Sequence, residues 1–125
     1  RQALETSVES FSRSSGCAFS RDNRLPAHSL PSEVELQVLQ IVREALANVV
    51  RHSHARQVLI RLWPQGGGAV VEVRDDGVGL PSLPPEGGHF GLNIMHERAA
   101  SIGSQLLIES SPGQGTCVRL VWGRT

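Results

Sequence analysis

At 125 residues the chain is long enough for one domain with a real core and too short for two. Its 39% apolar content and its 12 basic against 12 acidic residues are ordinary for a globular chain; they exclude a generic nucleic-acid or membrane-surface binder, which needs a basic excess. Two cysteines are too few for a disulfide scaffold, so a reducing compartment is the default, and no apolar run reaches the roughly 18 residues of a membrane span.

Ala3, Leu4, Val8 and Phe11 recur at helical spacing and predict a short amphipathic helix over residues 2 to 14. Residues 17 to 23 read as a strand, followed by a proline-flanked connector. Ser32-Glu33-Val34-Glu35 has the form of a capping box, in which Ser32 accepts from the N3 amide while Glu35 reaches back. Behind it Val34, Val38, Ile41, Val42, Ala45, Leu46 and Val49 form a wide apolar stripe, which predicts a helix to about residue 54. Alternation predicts strands over residues 57 to 63 and from residue 69, joined by the turn at residues 64 to 68. Residues 80 to 88 hold three prolines and two glycines and read as a loop. Leu92, Met95, Ala99 and Ile102 fit one face of a helix over residues 91 to 102, which Gly103 stops. Residues 105 to 110 and 116 to 122 close the chain as a hairpin. This order predicts an α+β, two-layer sandwich, a mixed and mostly antiparallel sheet covered on one face by helices.

Four local features carry possible chemistry, and each has a plain alternative. Glu44, Asn48 and His52 stand at i, i+4 and i+8 with Arg51 beside them; this is either a solvated helix edge or a stripe in which the Asn48 amide serves a hard cation such as Mg2+. In Asp75-Asp76-Gly77-Val78-Gly79, alternation puts Asp75 on the face of Ala69, Val71 and Val73. A carboxylate aimed at the core side needs hydrogen-bond donors, such as a ligand's exocyclic amine; the alternative is a plain strand-end turn. His89-Phe90-Gly91-Leu92 opens a helix, where free amides suit phosphates. In Pro112-Gly113-Gln114-Gly115-Thr116, Thr116 shares the face of Val118, Leu120 and Trp122, as an ordinary β-favouring residue or as a second buried-side polar group. There is no GxxxxGK[ST] motif and no HExxH spacing, and Cys17 and Cys117 read as packed thiols.

Taken in order, these features resemble the ATP-binding domain of the GHKL superfamily, which includes DNA gyrase, the heat-shock chaperone ATPases, MutL and the sensor histidine kinases. Glu44 to His52 looks like the histidine-kinase N box, Asp75 to Gly79 like the G1 box, and His89 to Leu92 like the G2 box. Gly113 to Thr116 looks like the last glycine-threonine motif. The short loop before Gly91, with Met95 and Arg98 after it, is most similar to the nitrate/nitrite-sensor group. The pattern departs in three places: Asp76 stands where Asn is usual, His89 where a G-x-G-L box has its first glycine, and Arg51 where Lys is common. On this pattern Asp76 adds charge near the nucleotide and allows only a water-mediated contact, and lid flexibility rests on Gly87 and Gly88.

The resemblance implies a Bergerat-type fold in one catalytic domain over residues 1 to 125. The chain begins at Arg1 rather than Met and reads as a piece of a longer kinase whose phosphoacceptor and sensor domains are elsewhere. It implies that Asp75 accepts from the adenine amino group with Thr116 supporting through water, and that Gly77 and Gly79 let the base pack on the backbone. Asn48 would ligate Mg2+ between the phosphates, Arg51 and His52 would offset phosphate charge, and amides near Gly91 and Leu92 would cradle the tail. Four arginines against one glutamate over residues 43 to 61 suit a polyphosphate. Glu44 would be the catalytic carboxylate, as a general base on water in ATPase relatives or orienting the acceptor or metal in a kinase. The implied function is transfer of the γ-phosphoryl group of Mg-ATP to a histidine on the kinase's own dimerisation and phosphoacceptor domain, and through it to a response regulator. The implied place is a cytoplasmic domain of an inner-membrane-anchored or soluble sensor kinase, with the isolated chain a monomer that binds no nucleic acid. The alternatives are a GHKL-type ATPase that hydrolyses ATP with water, and an interaction domain on the same scaffold without nucleotide.

Overall fold

The computed structural model describes residues 2–26, 29–78 and 92–123, without the side chains of residues 2, 3, 52 and 53. Helix α1 (Gln2–Ser15) leads into β1 (Ala18–Asn23), and α2 (Ser32–Asn48) runs on into a π turn (Val49–Ser53). The hairpin β2 (Gln57–Gln65) and β3 (Gly68–Asp75) follows, then α3 (Leu92–Ser101) and the hairpin β4 (Gln105–Ser111) and β5 (Gly115–Trp122). The five strands form one sheet in the order β1-β2-β3-β5-β4. Among the described residues only the β1–β2 pair is parallel. The α+β expectation holds, and the parallel pair is the one joined through a helix, as a crossover requires.

Alternation decides which side of each strand meets the helices. Val58, Ile60, Leu62, Val71, Val73, Val118 and Leu120 enter one core with Val8, Val38, Ile41, Val42, Leu46 and Met95. Helix α3 is fixed on α2 by the fully buried Met95 and by Arg98, whose Nη1 donates to Gln37 Oε1 at 3.1 Å. Pro64 sits past the end of the β1 pairing, in what is locally an edge, where proline is tolerated.

The structure corrects the start and the end of the long helix. No side chain caps its first turn; Pro31 holds the cap position and its carbonyl accepts from the Glu35 N–H at 2.9 Å. A carbonyl one residue earlier thus takes the amide that Ser32 was expected to cap. The α-helix does not reach residue 54. It widens after Asn48 into the π turn and stops at His54, which takes the left-handed conformation at φ 54°. Among non-glycine residues His is one of those that tolerate this region.

The opposite face of the sheet carries a charged row read directly from the register. Arg61, Glu72 and Arg119 are paired across β2, β3 and β5. Glu72 is 0% exposed. Its Oε2 accepts from Arg119 Nε at 3.0 Å and Nη2 at 2.7 Å, with Arg74 at 3.6 Å; Arg61 lies 3.7 Å from Oε1 and over the Trp63 ring at 4.7 Å. Burial alone would raise the Glu72 carboxyl, but the Arg119 hydrogen bond and the Arg74 and Arg119 charges bring it below its ordinary value of 4.5. A carboxyl depressed by folding contributes stability that is present above its unfolded value and lost as pH falls through the folded one. Glu72→Gln is therefore expected to lose about 1–2 kcal/mol at pH 7 in urea denaturation, because three half-exposed guanidinium groups lose their shared anion. The gap between variant and wild type closes below pH 4.5 as Glu72 protonates. A variant as stable as wild type at pH 7 would remove this row from the account of stability.

Candidate nucleotide cleft between the long helix and the sheet

Strands β3 and β5 are neighbours, and their register sets Asp75 opposite Thr116. Helix α2 crosses above with the 7%-exposed Asn48 at its last α-helical position. The three side chains meet in one cavity of about 10 Å3, lined by Ala45, Asn48, Val49, Val73, Asp75, Leu92, Thr116 and Val118. That is about one water's worth of space. Residues from the first, second and fourth sequence features, and Leu92 of the third, are thus brought together from four elements. Gly77 is held beside them, its N–H donating to Asp75 Oδ1 at 2.8 Å.

Asp75 is the electrostatic centre of the cleft. It is 7% exposed. Burial raises its carboxyl above the ordinary 3.8, the N–H groups of Gly77 and Thr116 pull it back, and the neighbouring Asp76 pushes it up further. Each carboxylate oxygen has two acceptor sites, so the Gly77 bond leaves capacity for a further donor.

Close backbone approach explains one glycine. Gly115 has φ +83°, and a Cβ there would lie 2.1 Å from the Asp75 carbonyl oxygen. Only glycine lets β5 begin against the end of β3. The turn before it is tied to the G1 segment, because the Gly113 N–H donates to the Val78 carbonyl at 2.8 Å. Ser110 then positions Thr116: their hydroxyls lie 2.9 Å apart across β4 and β5. Ser110 was missed in the sequence because its opposition to Thr116 depends on the register of the hairpin.

Other expected residues stand apart or out of view. Glu44 is half-buried one turn before Asn48, and Arg51 is exposed on the π turn; neither lines the cavity. Gly79 and Gly91, with His89 and the loop glycines Gly87 and Gly88, lie outside the described residues, as does the His52 side chain. Asp76 has backbone partners of its own. It stands outside the cavity lining, and its Oδ1 accepts from the Arg56 and Gln57 N–H groups at 2.9 and 3.0 Å. It follows the last residue of β3, and these bonds turn its carboxylate toward the start of β2.

Residues 33–124 match the family described as "Histidine kinase-, DNA gyrase B-, and HSP90-like ATPase". The chain belongs to this family. Among curated relatives it is 32% identical over 119 residues to the nitrate/nitrite sensor protein NarQ of Escherichia coli K12, covering 94% of this chain and 21% of that protein. It is 34% identical over 116 residues to NarX of the same strain, covering 93% and 19%. It is 36% identical over 125 residues to the NarQ homolog of Haemophilus influenzae, covering 98% and 22%. The nitrate/nitrite-sensor resemblance of the motifs is therefore sound, and the chain spans about a fifth of the length of these relatives. The fold is that of the histidine kinase domain of the Erythrobacter litoralis EL346 blue-light activated kinase, with a TM-score of 0.81 at 22% identity over 95% of this chain and 58% of that one. It is also found in full-length ShkA in complex with AMPPNP, with a TM-score of 0.78 at 22% identity over 97% and 29%. No helix among the described residues is long and apolar enough to cross a membrane.

Proposed function

We propose that this domain binds Mg-ATP in the cleft between α2 and the sheet and is the catalytic domain of a sensor histidine kinase. The observation that carries the reading is that Asn48, Asp75, Leu92 and Thr116, from four elements, line one cavity. A buried carboxylate with spare acceptor capacity suits the exocyclic amine of adenine, and Thr116, steadied by Ser110, supports it through water. Gly77, together with Gly79 of the same motif, would let a flat ring pack on the backbone. Arg51 and His52, on the turn that follows Asn48, offset phosphate charge, and the start of α3 at Leu92, with Gly91 before it in sequence, offers amides to the tail. Family membership and the nitrate/nitrite-sensor relatives support the same reading.

The donor set also fits a magnesium ion held jointly with the nucleotide. Among the described residues no three His, Cys, Asp or Glu side chains are grouped as a metal cage. Mg2+ does not need one, since it keeps several waters and takes one or two protein oxygens plus phosphates. Asn48 offers its amide oxygen and Glu44, one turn away, a carboxylate. Bound there, the ion would neutralise charge that develops on the phosphates.

In the reaction the bond between the γ-phosphorus and the β–γ bridging oxygen breaks, a P–N bond to the acceptor histidine forms, and ADP leaves. The acceptor is on the kinase's own dimerisation and phosphoacceptor domain, and the phosphoryl group passes on to a response regulator. What the chain supplies is positioning and charge, which is most of what phosphoryl transfer requires. In this reading Glu44 orients the acceptor nitrogen or the metal. The domain is cytoplasmic in this reading, within an inner-membrane-anchored or soluble parent, and the isolated chain is a monomer.

The test is a calorimetric titration of the chain with Mg-ATP, Mg-ADP and Mg-GTP, followed by incubation with γ-32P-ATP. The expected result is binding of both adenine nucleotides, rejection of GTP, and label retained only when the phosphoacceptor domain is added. No binding of any nucleotide would favour an interaction domain, and steady phosphate release from the chain alone would favour a hydrolase.

A further inference from the structure

Asp76 has a position that neither its charge nor its place in the motif predicts. Its Oδ1 alone accepts two backbone N–H bonds, from Arg56 at 2.9 Å and Gln57 at 3.0 Å. Its own N–H donates to the Gln57 carbonyl at 3.3 Å. Arg56 and Gln57 form the exit of the segment that begins at Asn48: π turn, left-handed His54, Ala55, then β2. The same exit is held by β1 and its approach, where the Cys17 thiol donates to the Ala55 carbonyl at 3.0 Å and the Ala18 N–H to the Arg56 carbonyl at 2.9 Å. The segment after Asn48 is thus pinned by the strand end that carries Asp75.

We propose that Asp76 is a positioning residue whose carboxylate ties the exit of the Asn48 helix to the Asp75 strand end, holding the metal and adenine ends of the cleft in register. The proposal rests on the ATP reading above. It does not need a charge, because both donors are neutral backbone amides and one oxygen accepts both bonds. An Asn side chain presents the same oxygen at the same distance from the backbone, so Asp and Asn are interchangeable here, and an apolar residue is not. The amides of Gln57 and Arg56 also hold the Asp76 carboxyl below its ordinary range, as donors to a carboxylate oxygen do. Without it the two halves of the site can drift, and misplacement by about 1 Å costs on the order of a hundredfold in function at a positioned site.

The test compares wild type, Asp76→Asn, Asp76→Ala and Asp76→Ser by Mg-ATP titration, amide hydrogen exchange and circular dichroism. In Asp76→Ala the Arg56 and Gln57 amides are expected to exchange at least about tenfold faster and Mg-ATP to bind about tenfold more weakly, with the circular dichroism retained. Asp76→Asn should return both to within about threefold of wild type. Asp76→Ser, whose hydroxyl falls short of both amides, should behave like Ala, and it stands in for Ala if that variant does not fold. Wild-type affinity in Asp76→Ala despite faster exchange would overturn the proposal. So would an Asn variant as weak as Ala, which would make charge the operative property, or loss of the fold in both Ala and Ser, which would make the role structural. A wild-type chain that bound no Mg-ATP would overturn the ATP reading and with it the nucleotide role of the tie, while the exchange rates would still report the tie itself.

Discussion

Asp75→Asn is expected to weaken Mg-ATP binding about hundredfold while leaving the fold as stable as wild type or more so. Both halves of this result follow from one buried carboxyl. Asp75 accepts from the Gly77 N–H at one oxygen and, in the proposed complex, from the adenine amino group. An Asn side chain has one acceptor oxygen and one donor NH2. If its oxygen faces Gly77, its NH2 meets the adenine amine donor to donor; if it turns over, the same clash falls on Gly77. Leaving a buried donor unmatched costs about 1–3 kcal/mol, and about 2.7 kcal/mol corresponds to a hundredfold in affinity. Stability moves the other way. Burial raises the Asp75 carboxyl above its ordinary 3.8. A carboxyl raised by folding contributes stability below its unfolded value and loses it as pH rises through the folded one, so ionised Asp75 weakens the empty domain at pH 7. Removing the charge relieves that cost. Guanine carries a carbonyl oxygen where adenine carries the amine, so the variant should also narrow the preference for ATP over GTP. Calorimetry with both nucleotides and a thermal melt at pH 7 measure all three effects. Unchanged ATP affinity would remove Asp75 from the base site, and a large drop in melting temperature would make it structural.

Asn48→Leu is expected to lower Mg-ATP affinity by tenfold to a hundredfold and to leave metal-free ATP affinity nearly unaltered. The two side chains have the same number and branching of heavy atoms, so Leu, though bulkier, is the apolar residue nearest in shape for a site where Asn48 is packed among Ala45, Val49 and Val73 at 7% exposure, and circular dichroism checks that the fold is kept. What is lost is the one amide oxygen on that wall of the cleft. Losing a group that supports a metal site costs about ten- to a hundredfold, and the loss should vanish when EDTA removes the metal from wild type and variant alike. Titrations with and without EDTA separate the cases. Equal losses in both would mean that Asn48 touches the nucleotide or shapes the cleft rather than serving a metal.

Much of the architecture could be read from the chain because it depends on local periodicity. A period of 3.6 places Val34, Val38, Ile41 and Leu46 on one face, and a period of 2 separates Val71 and Val73 from Glu72 and Arg74. The same alternation places Asp75 and Thr116 on the buried side with no knowledge of the strand pairing. Where local signals competed, they misled. Ser32 and Glu35 have the form of a capping box, yet the Pro31 carbonyl takes the amide. The apolar stripe runs on to Val49, yet the ladder widens after Asn48. No periodicity marks a π turn, because one extra residue in a turn changes the direction of the following side chains and not their hydrophobicity.

The order of residue types along this chain was enough to determine its layers, its family and which polar side chains turn toward the core, since each follows from contacts between residues close in sequence or from motifs at set spacing. The tertiary structure alone decided what those side chains meet. The β1-β2-β3-β5-β4 order sets Asp75 beside Thr116 and Glu72 beside Arg61 and Arg119. The same tertiary packing brings Asp76 to amides 19 and 20 residues away. A hydrogen bond is chosen by distance and angle within a few tenths of an ångström, and residues so far apart acquire that geometry only when the whole sheet has closed.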